Sequence, residues 1–379
     1  MKVLMTGGGT GGHVYPALAI ADTICEKEPD SDIAFVGTSH GIENKLVPAA
    51  GYPLHHVKIQ GIRRSFSLSN LKTAWLVFTS VFKAKKLLRT FQPDLVVGTG
   101  GYVSWPVVKA ASQMGIPTAL HESNAIPGVA VKVLQDDVDL LFVCFEQSRT
   151  LLHHPQKAIT VGNPMRMQPN TISYQAAREA LGIAHKYRRF ILSLGGSMGA
   201  EQINFCMLDL MEKHIAAHPE ILHVHASGSL EYEATKALFA QKGLDRYENL
   251  KLVEYIYDMP TQMAAADIVI NRSGSMTLSE LALLHKPCIL IPSPNVTNNH
   301  QYKNAKVLAD RGGAVLIEEK DLQADSLWNC IQDLFANPMR LAQMADAMGT
   351  LAVPDSNERI YRALRALVDQ KKANKNANP

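Results

Sequence analysis

The sequence predicts an α/β protein of two doubly wound domains in tandem, and three observations predict it. Short apolar runs alternate with helix-forming stretches along the chain, the pattern of parallel sheets covered by helices. A glycine loop at 7–12, GGGTGG, joins the first apolar run to the first helical stretch. That order of strand, glycine loop and helix recurs at 189–204 as RFILSLGGSMGAEQIN.

In the first domain the strands read KVLMT, DIAFVG, DLVVGTG, PTALHE, LLFVCF and AITVG. Helical periodicity starts at Ala17–Ile24. In the second domain the strands read RFILSLGG, HVHASG, LKLVEYI, DIVINRSG, PCILIPS and GAVLIEE. Turn formers collect in VGNPMRMQPNTIS and set the boundary, giving domains at 1–163 and 164–353. The tail KKANKNANP, 371–379, is polar and low in complexity, which predicts disorder. Ligands of such folds sit beyond the carboxyl ends of the strands, so both glycine loops are expected to face one central cleft.

The totals narrow the class. A chain of 379 residues is long enough for two cores. With 46% hydrophobic and 19% charged residues it is globular rather than disordered. A net charge of +3 makes no global case for a nucleic-acid partner. Cys25, Cys144, Cys206, Cys288 and Cys330 are scattered and out of metal-ligand spacing, which suits a reducing compartment. Met1 runs straight into the first strand, leaving no room for a signal peptide. No apolar run approaches the ~20 residues of a membrane span. The expectation is a soluble protein, or one attached to a membrane surface.

Local charge is less even. Between 51 and 100 stand Lys58, Arg63, Arg64, Lys72, Lys83, Lys85, Lys86 and Arg89, against Asp94 alone among acids. Within this region 67–91 reads as a helix or helix pair, with Leu68, Leu71, Trp75, Phe78 and Phe82 recurring at spacings of three and four. Such a stripe is commonly core-facing with a solvated basic face. The alternative is a patch resting on anionic lipid, aromatics dipping in and lysines on headgroups.

The glycine loop itself has two readings. It serves either tight strand-to-helix packing or an anionic, oxygen-rich ligand at a helix N-terminus. Gly7, Gly9 and Gly12 fit G-x-G-x-x-G, but the second strand ends in Gly37 and Thr38 rather than the acid that binds a dinucleotide ribose. A nicotinamide cofactor is therefore discounted. Gly195–Gly199 fits the nucleophile elbow G-x-S-x-G around Ser197, with Asp267 and His300 as candidate partners, so a serine hydrolase stands as an alternative. His223 and His225 share a strand face without a third ligand, which argues against zinc. His55–His56 and His153–His154 read as surface pairs.

Taken together, GGTGGHVYPAL, GTGGYVSWP, HESNAIPG, VGNPMR, GGSMGA, NRSGSMTLSE and NNHQYKNA follow one order and spacing. On these motifs the chain resembles the MurG family of peptidoglycan glycosyltransferases, in glycosyltransferase family 28, from Met1 to about Leu367. The resemblance implies a GT-B fold of two Rossmann-like domains, with a final helix at 354–370 returning to the N-terminal domain. It implies inverting transfer of N-acetylglucosamine from UDP-N-acetylglucosamine to lipid I (undecaprenyl-pyrophosphoryl-N-acetylmuramoyl-pentapeptide), giving lipid II with a β-1,4 linkage.

By the same resemblance, donor-binding residues are Arg166, Ser197, Ile256, Arg272, Met276, Thr277, Glu280, His300 and Gln301. Arg166 and Ser197 would meet the diphosphate with backbone N–H groups near Met276 and Thr277. Ile256 would hold the uracil, Glu280 the ribose hydroxyls, and His300 with Gln301 the sugar. Thr10, Gly11, Gly12, Thr99, Gly100, Gly101, Tyr102 and Asn124 would receive the acceptor. His13 would be the general base, with Glu122 or Asn124 positioning the acceptor hydroxyl and a helix-capping role for His13 as the alternative.

No DxD-like pair is placed for magnesium in these motifs, so neither cofactor nor obligatory metal is expected. A lipid acceptor favours membrane contact through Leu71, Lys72, Trp75, Phe78, Phe82, Lys83 and Lys86, on the cytoplasmic face of a bacterial membrane, with other cell-wall synthesis proteins as further partners. The chain departs from the family pattern at Ser123, Val131, Met198 and Tyr257, which leaves a paralogue with another lipid or small-molecule acceptor as a second reading.

Overall fold

The apolar runs form strands because helices bury them from both sides, as parallel strands require. The computed structural model describes residues 1–57, 69–166, 172–196 and 198–377, the side chains of 69–78 and 375–377 excepted. Two units are present, Met1–Gln168 with Val353–Pro379, and Pro169–Ala352.

In the first unit the strands are β1 (Lys2–Gly7), β2 (Asp32–Gly37), β3 (Leu54–His56), β4 (Leu95–Gly100), β5 (Thr118–Glu122), β6 (Leu140–Val143) and β7 (Ala158–Thr160). The helices are α1 (Gly11–Lys27), α2 (Glu43–Ala49), α3 (Ser69–Phe91), α4 (Ser104–Gln113), α5 (Val129–Leu134) and α6 (Glu146–Arg149). The sheet is parallel in the order β3-β2-β1-β4-β5-β6-β7. Strand β3 was not anticipated: it is three residues long, and two of them are histidines.

The second unit contains α7 (Tyr174–Ala180), β8 (Arg189–Leu194), α8 (Glu201–Lys213), β9 (Ile221–Ala226), α9 (Tyr232–Gln241), β10 (Leu250–Val253) and α10 (Met259–Ala265). It continues with β11 (Ile268–Asn271), α11 (Ser275–Leu283), β12 (Cys288–Leu290), α12 (His300–Asp310), β13 (Ala314–Leu316), α13 (Ala324–Ala336) and α14 (Pro338–Gly349). Its parallel sheet runs β10-β9-β8-β11-β12-β13. Strand order reverses between β1 and β4 in one unit and between β8 and β11 in the other. These are the points where doubly wound sheets open a crevice, and a glycine loop follows the first strand of each.

The last helix, α15 (Ser356–Ala377), belongs to the first unit. Ile360, Leu364 and Val368 recur every four residues and are buried in one core with Ala17, Leu18, Ala21 and Ile24 of α1. Burying each of these larger aliphatic side chains stabilises the contact by about 1.5–3 kcal/mol. The tail expected to be disordered is helical as far as Ala377: Lys371 pairs with Asp139 at 2.7 Å and Lys372 with Asp94 at 3.0 Å. Nor does the chain leave the first unit at 163. The Asn357 amide clamps both backbone groups of Met165, at 2.9 and 2.8 Å, and Ser356 Oγ donates to Asn163 O at 2.9 Å.

The core of the second unit contains a polar knot. His223 and His225 on β9 are fully buried, and Ser193 Oγ on β8 lies 2.7 Å from His223 Nε2 and 2.8 Å from His225 Nδ1. His225 Nε2 donates to Asn204 Oδ1 at 3.0 Å. In the first unit His121 is buried beside Gly162 O, at 3.3 Å. Burial lowers His121 and His225 to about 4 and holds His223 well below the usual histidine range. All three are neutral when folded but bind protons below about pH 6.5 when unfolded. Their contribution to stability is therefore complete above about pH 6.5 and is lost as pH falls towards 4. Thermal unfolding followed by circular dichroism should show Tm falling steadily from pH 7 to pH 5; a flat Tm across that window would contradict the assignment.

Candidate functional site

In the first unit the carboxyl ends of β1 and β4 approach so closely that side chains are excluded. The β1–β4 register shifts between Thr6 and Gly7. A Cβ on Gly100 would lie 2.6 Å from the His13 ring, and one on Gly101 2.4 Å from Gly8 O. Gly100 and Gly101 have positive φ, 112° and 79°, a conformation glycine alone adopts readily. Ser104 Oγ ties this crossing together, donating to Gly100 O at 2.6 Å and lying 3.0 Å from Thr6 O.

Helix α1 starts at the same edge. Thr10 is its extended N-cap residue and makes no side-chain cap bond to the backbone, so Gly11 and Gly12 present their N–H groups at the positive end of a long helix. His13 is fixed from behind: its Nδ1 lies 3.0 Å from Gly8 O and 3.3 Å from Thr10 Oγ1. Because a carbonyl only accepts, Nδ1 carries the proton and Nε2 of the neutral ring carries the lone pair. Thr99 Oγ1 donates to His13 O at 2.7 Å. Tyr102 is exposed at the rim.

Glu122 is turned inward. Its Oε1 accepts from Asn124 N at 2.9 Å and Asn124 Nδ2 at 3.0 Å, and its Oε2 from Gly128 N at 2.6 Å. Burial raises its carboxyl while these three donors oppose the shift. The carboxyl group faces inward, where it organises the loop 122–128 and places Asn124. Glu43, which sequence reasoning misses, is fully buried beneath the glycine loop and accepts from Gly9 N at 3.0 Å. Its one signal in the sequence is an acid among glycines in GTSHGIEN.

In the second unit α11 begins directly after β11, with extended Gly274 as N-cap. Its first turn holds Met276 and Thr277, whose N–H groups point out of the helix start. Glu280 lies one turn further on, half-buried, and its side chain has no hydrogen bond or ion pair among the described residues; burial pushes it up to about 7. After β12, Asn298 and Asn299 both take left-handed φ, 57° and 51°, immediately before α12. Such non-glycine strain persists where surrounding structure imposes it. It sets His300 so that Nδ1 donates to Thr297 O at 2.9 Å, leaving Nε2 as acceptor. Gln301 Oε1 accepts from Ser293 N at 2.9 Å, which orients its amide nitrogen outward. Ile256 is buried just beyond β10, flanked by exposed Tyr255 and Tyr257, whose rings meet edge to face at 5.2 Å.

Three sequence-based assignments sit differently. Arg272 spends its guanidinium internally, donating to Ile291 O at 3.1 Å and pairing with Glu319. Arg166 belongs to the first unit, where its Nε donates to Asp22 at 2.6 Å. Asp267, the acid nominated for a hydrolase triad, precedes β11 at the amino edge of the sheet and accepts from Phe190 N at 2.7 Å. His300 lies beyond the opposite edge, so Asp267 cannot serve it. Ser197, like the side chains of Leu71, Lys72, Trp75 and Phe78, lies outside the described residues. On α3, Phe82 is 59% exposed beside solvent-facing Lys83 and Lys86, while Ala84 and Leu88 face the core.

Two family models match the chain: the Glycosyltransferase family 28 N-terminal domain over residues 3–141 and the Glycosyltransferase family 28 C-terminal domain over residues 190–360. The chain belongs to glycosyltransferase family 28. A relative from Acetivibrio thermocellus, the UDP-N-acetylglucosamine–N-acetylmuramyl-(pentapeptide) pyrophosphoryl-undecaprenol N-acetylglucosamine transferase, is 39% identical over 373 residues, covering 98% of this chain and all of the relative. A relative of the same name from a Thermoanaerobacter species is 40% identical over 367 residues, covering 97% and 100%. Among solved structures, MurG of Acinetobacter baumannii aligns with a TM-score of 0.77 at 26% identity, covering 96% of this family 28 chain and 99% of that one. The UDP-N-acetylglucosamine 2-epimerase of Neisseria meningitidis aligns with a TM-score of 0.65 at 15% identity, covering 97% and 100%, and shares the fold alone. The two parallel-sheet units are those of a GT-B glycosyltransferase.

Proposed function

We propose that this chain is a hexosyltransferase that moves N-acetylglucosamine from UDP-N-acetylglucosamine to lipid I, forming lipid II for peptidoglycan. The observation that carries this reading is the full-length likeness to relatives named for that transfer. The chemistry of the site agrees with it. An inverting transfer needs a base for the acceptor hydroxyl and positive potential for the departing UDP. His13 presents an unprotonated Nε2 beside a helix start and two glycine turns, suited to an acceptor whose pyrophosphate lies on backbone N–H groups.

As His13 Nε2 takes the hydroxyl proton, the acceptor oxygen attacks the anomeric carbon from the face opposite UDP. The carbon–oxygen bond to UDP breaks, and the α linkage becomes β. The first turn of α11, with Ser197, stabilises the developing diphosphate charge, so no obligatory metal is required. Glu280 accepts the ribose hydroxyls, Ile256 holds the base, and His300 with Gln301 holds the sugar. Asn124, placed by Glu122, orients the acceptor. No helix among the described residues is long and apolar enough to cross a membrane. The enzyme works peripherally on the cytoplasmic face, docking through the basic–aromatic face of α3 near Phe82, where other cell-wall synthesis proteins also gather.

Transfer of labelled N-acetylglucosamine to a short-chain lipid I analogue should release UDP one for one and survive EDTA. His13→Ala should retain UDP-N-acetylglucosamine binding while transfer falls about 10²–10⁴-fold; undiminished transfer would remove His13 as the base. Saturable donor binding without lipid II would redirect the search to another acceptor. Because burial pushes Glu280 up to about 7 and only its carboxylate accepts two hydroxyls, UDP-N-acetylglucosamine affinity measured by calorimetry should rise from pH 6 to pH 8 and then level. In Glu280→Gln it should be weaker and flat. In vesicle flotation, Phe82→Asp with Lys83→Glu should lose binding to anionic liposomes, and full retention would return α3 to a packing role only.

A further inference from the structure

Beneath the first glycine loop lies a buried carboxylate to which the transfer reading gives no task. Glu43, the first residue of α2, is fully buried. Its Oε1 accepts from Thr38 N at 2.9 Å and Thr38 Oγ1 at 2.8 Å, and its Oε2 accepts from Gly9 N at 3.0 Å. Three glycines make room for it: a Cβ on Gly8, Gly37 or Gly41 would come within 2.7, 2.6 or 1.9 Å of the Glu43 side chain. Burial pushes the carboxyl up, but the Gly9 and Thr38 donors prevail and hold it below the ordinary range. It is a charge kept deep in the fold, and removing its partners is costly.

The N–H that Glu43 binds and the C=O that His13 binds belong to one peptide group. Gly8 O accepts from His13 Nδ1 at 3.0 Å, and Gly9 N donates to Glu43 Oε2 at 3.0 Å. That group is planar and conjugated, so the carboxylate on its N–H side makes its carbonyl a stronger acceptor.

We propose that Glu43 is a positioning residue for the base: a carboxylate–peptide–imidazole relay locks His13 in the Nδ1–H form and stabilises the imidazolium that forms when Nε2 takes the acceptor proton. This rests on the reading of His13 as the general base. No proton crosses the peptide; the transferred proton stays on the imidazole until solvent removes it, and Glu43 remains ionised throughout. Around the relay, Thr10 and Thr99 are neutral, the Tyr102 ring stands beside Gly9, and on the Glu43 side Thr38 and Asn44 are neutral while His40 is exposed. His121 interacts electrostatically with His13 but lies at about 4, so it is neutral in the working range.

The test compares pH profiles of kcat/KM for the full-length enzyme and Glu43→Gln, with donor affinity measured alongside. Loss of the charge destabilises the imidazolium, so the acid limb should move to lower pH and the plateau should fall about 10-fold, a part of what a general base supplies. Donor affinity should stay unchanged, and Glu43→Asp should restore the limb towards wild type. A merely structural role would lower the rate with the limb in place, and that result overturns the relay. Nitrogen-15 spectra of His13 in the wild-type protein test the relay even where the Gln variant does not fold: an Nδ1–H ring supports it, and an Nε2–H ring refutes it. Full transfer by His13→Ala would instead sink the base assignment, whereas loss there with an unshifted Glu43→Gln profile would sink the relay alone.

Discussion

The architecture of the first unit turns on a place where side chains are excluded. Where β1 and β4 end, a Cβ on Gly7, Gly8, Gly100 or Gly101 would come within 2.1, 2.7, 2.6 or 2.4 Å of neighbouring atoms. Close approach there lets Gly8 O meet the imidazole of His13 and lets helix α1 begin at the switch point with its N–H groups exposed. A single methyl group at Gly100 would occupy the position of the His13 ring. The glycines are thus the condition for holding a base and an anion-binding helix start on one short loop.

A second constraint is the treatment of charge. Carboxyl groups inside the first unit are surrounded by donors: Glu43 by Gly9 and Thr38, and Glu122 by Asn124 and Gly128. Histidines deep in either core are kept neutral by burial. Glu280 contrasts with both, since no neighbour offsets its burial. A carboxylate left unsatisfied at the carboxyl edge of a sheet is the arrangement expected of a group awaiting hydroxyl donors.

Much of the fold is legible in the chain because buried parallel strands write themselves as continuous apolar runs. Strand β3 escaped because it is short and carries His55 and His56. The tail escaped because its composition is polar, while its helix is held by Lys371 and Lys372 on acids distant in sequence. Among site residues, the turn geometry around His13 follows from neighbours in sequence. The engagement of Arg272 with Glu319, or of Arg166 with Asp22, depends on chain segments far apart. Asp267 shows the same limit: its spacing from Ser197 and His300 suits a triad, but strand direction sends it to the wrong edge.

By itself the sequence determined the two doubly wound units, the two glycine loops and the ordered motifs of family 28, since each is a local pattern of periodicity, turn chemistry or residue order. Tertiary structure alone decided that Glu122 is closed off, that Met165 and Arg166 stay with the first unit, and that Glu43 and His13 share one peptide group. Hydrogen bonds of that kind join residues tens of positions apart, and their geometry exists only once the strands have paired and the helices have packed.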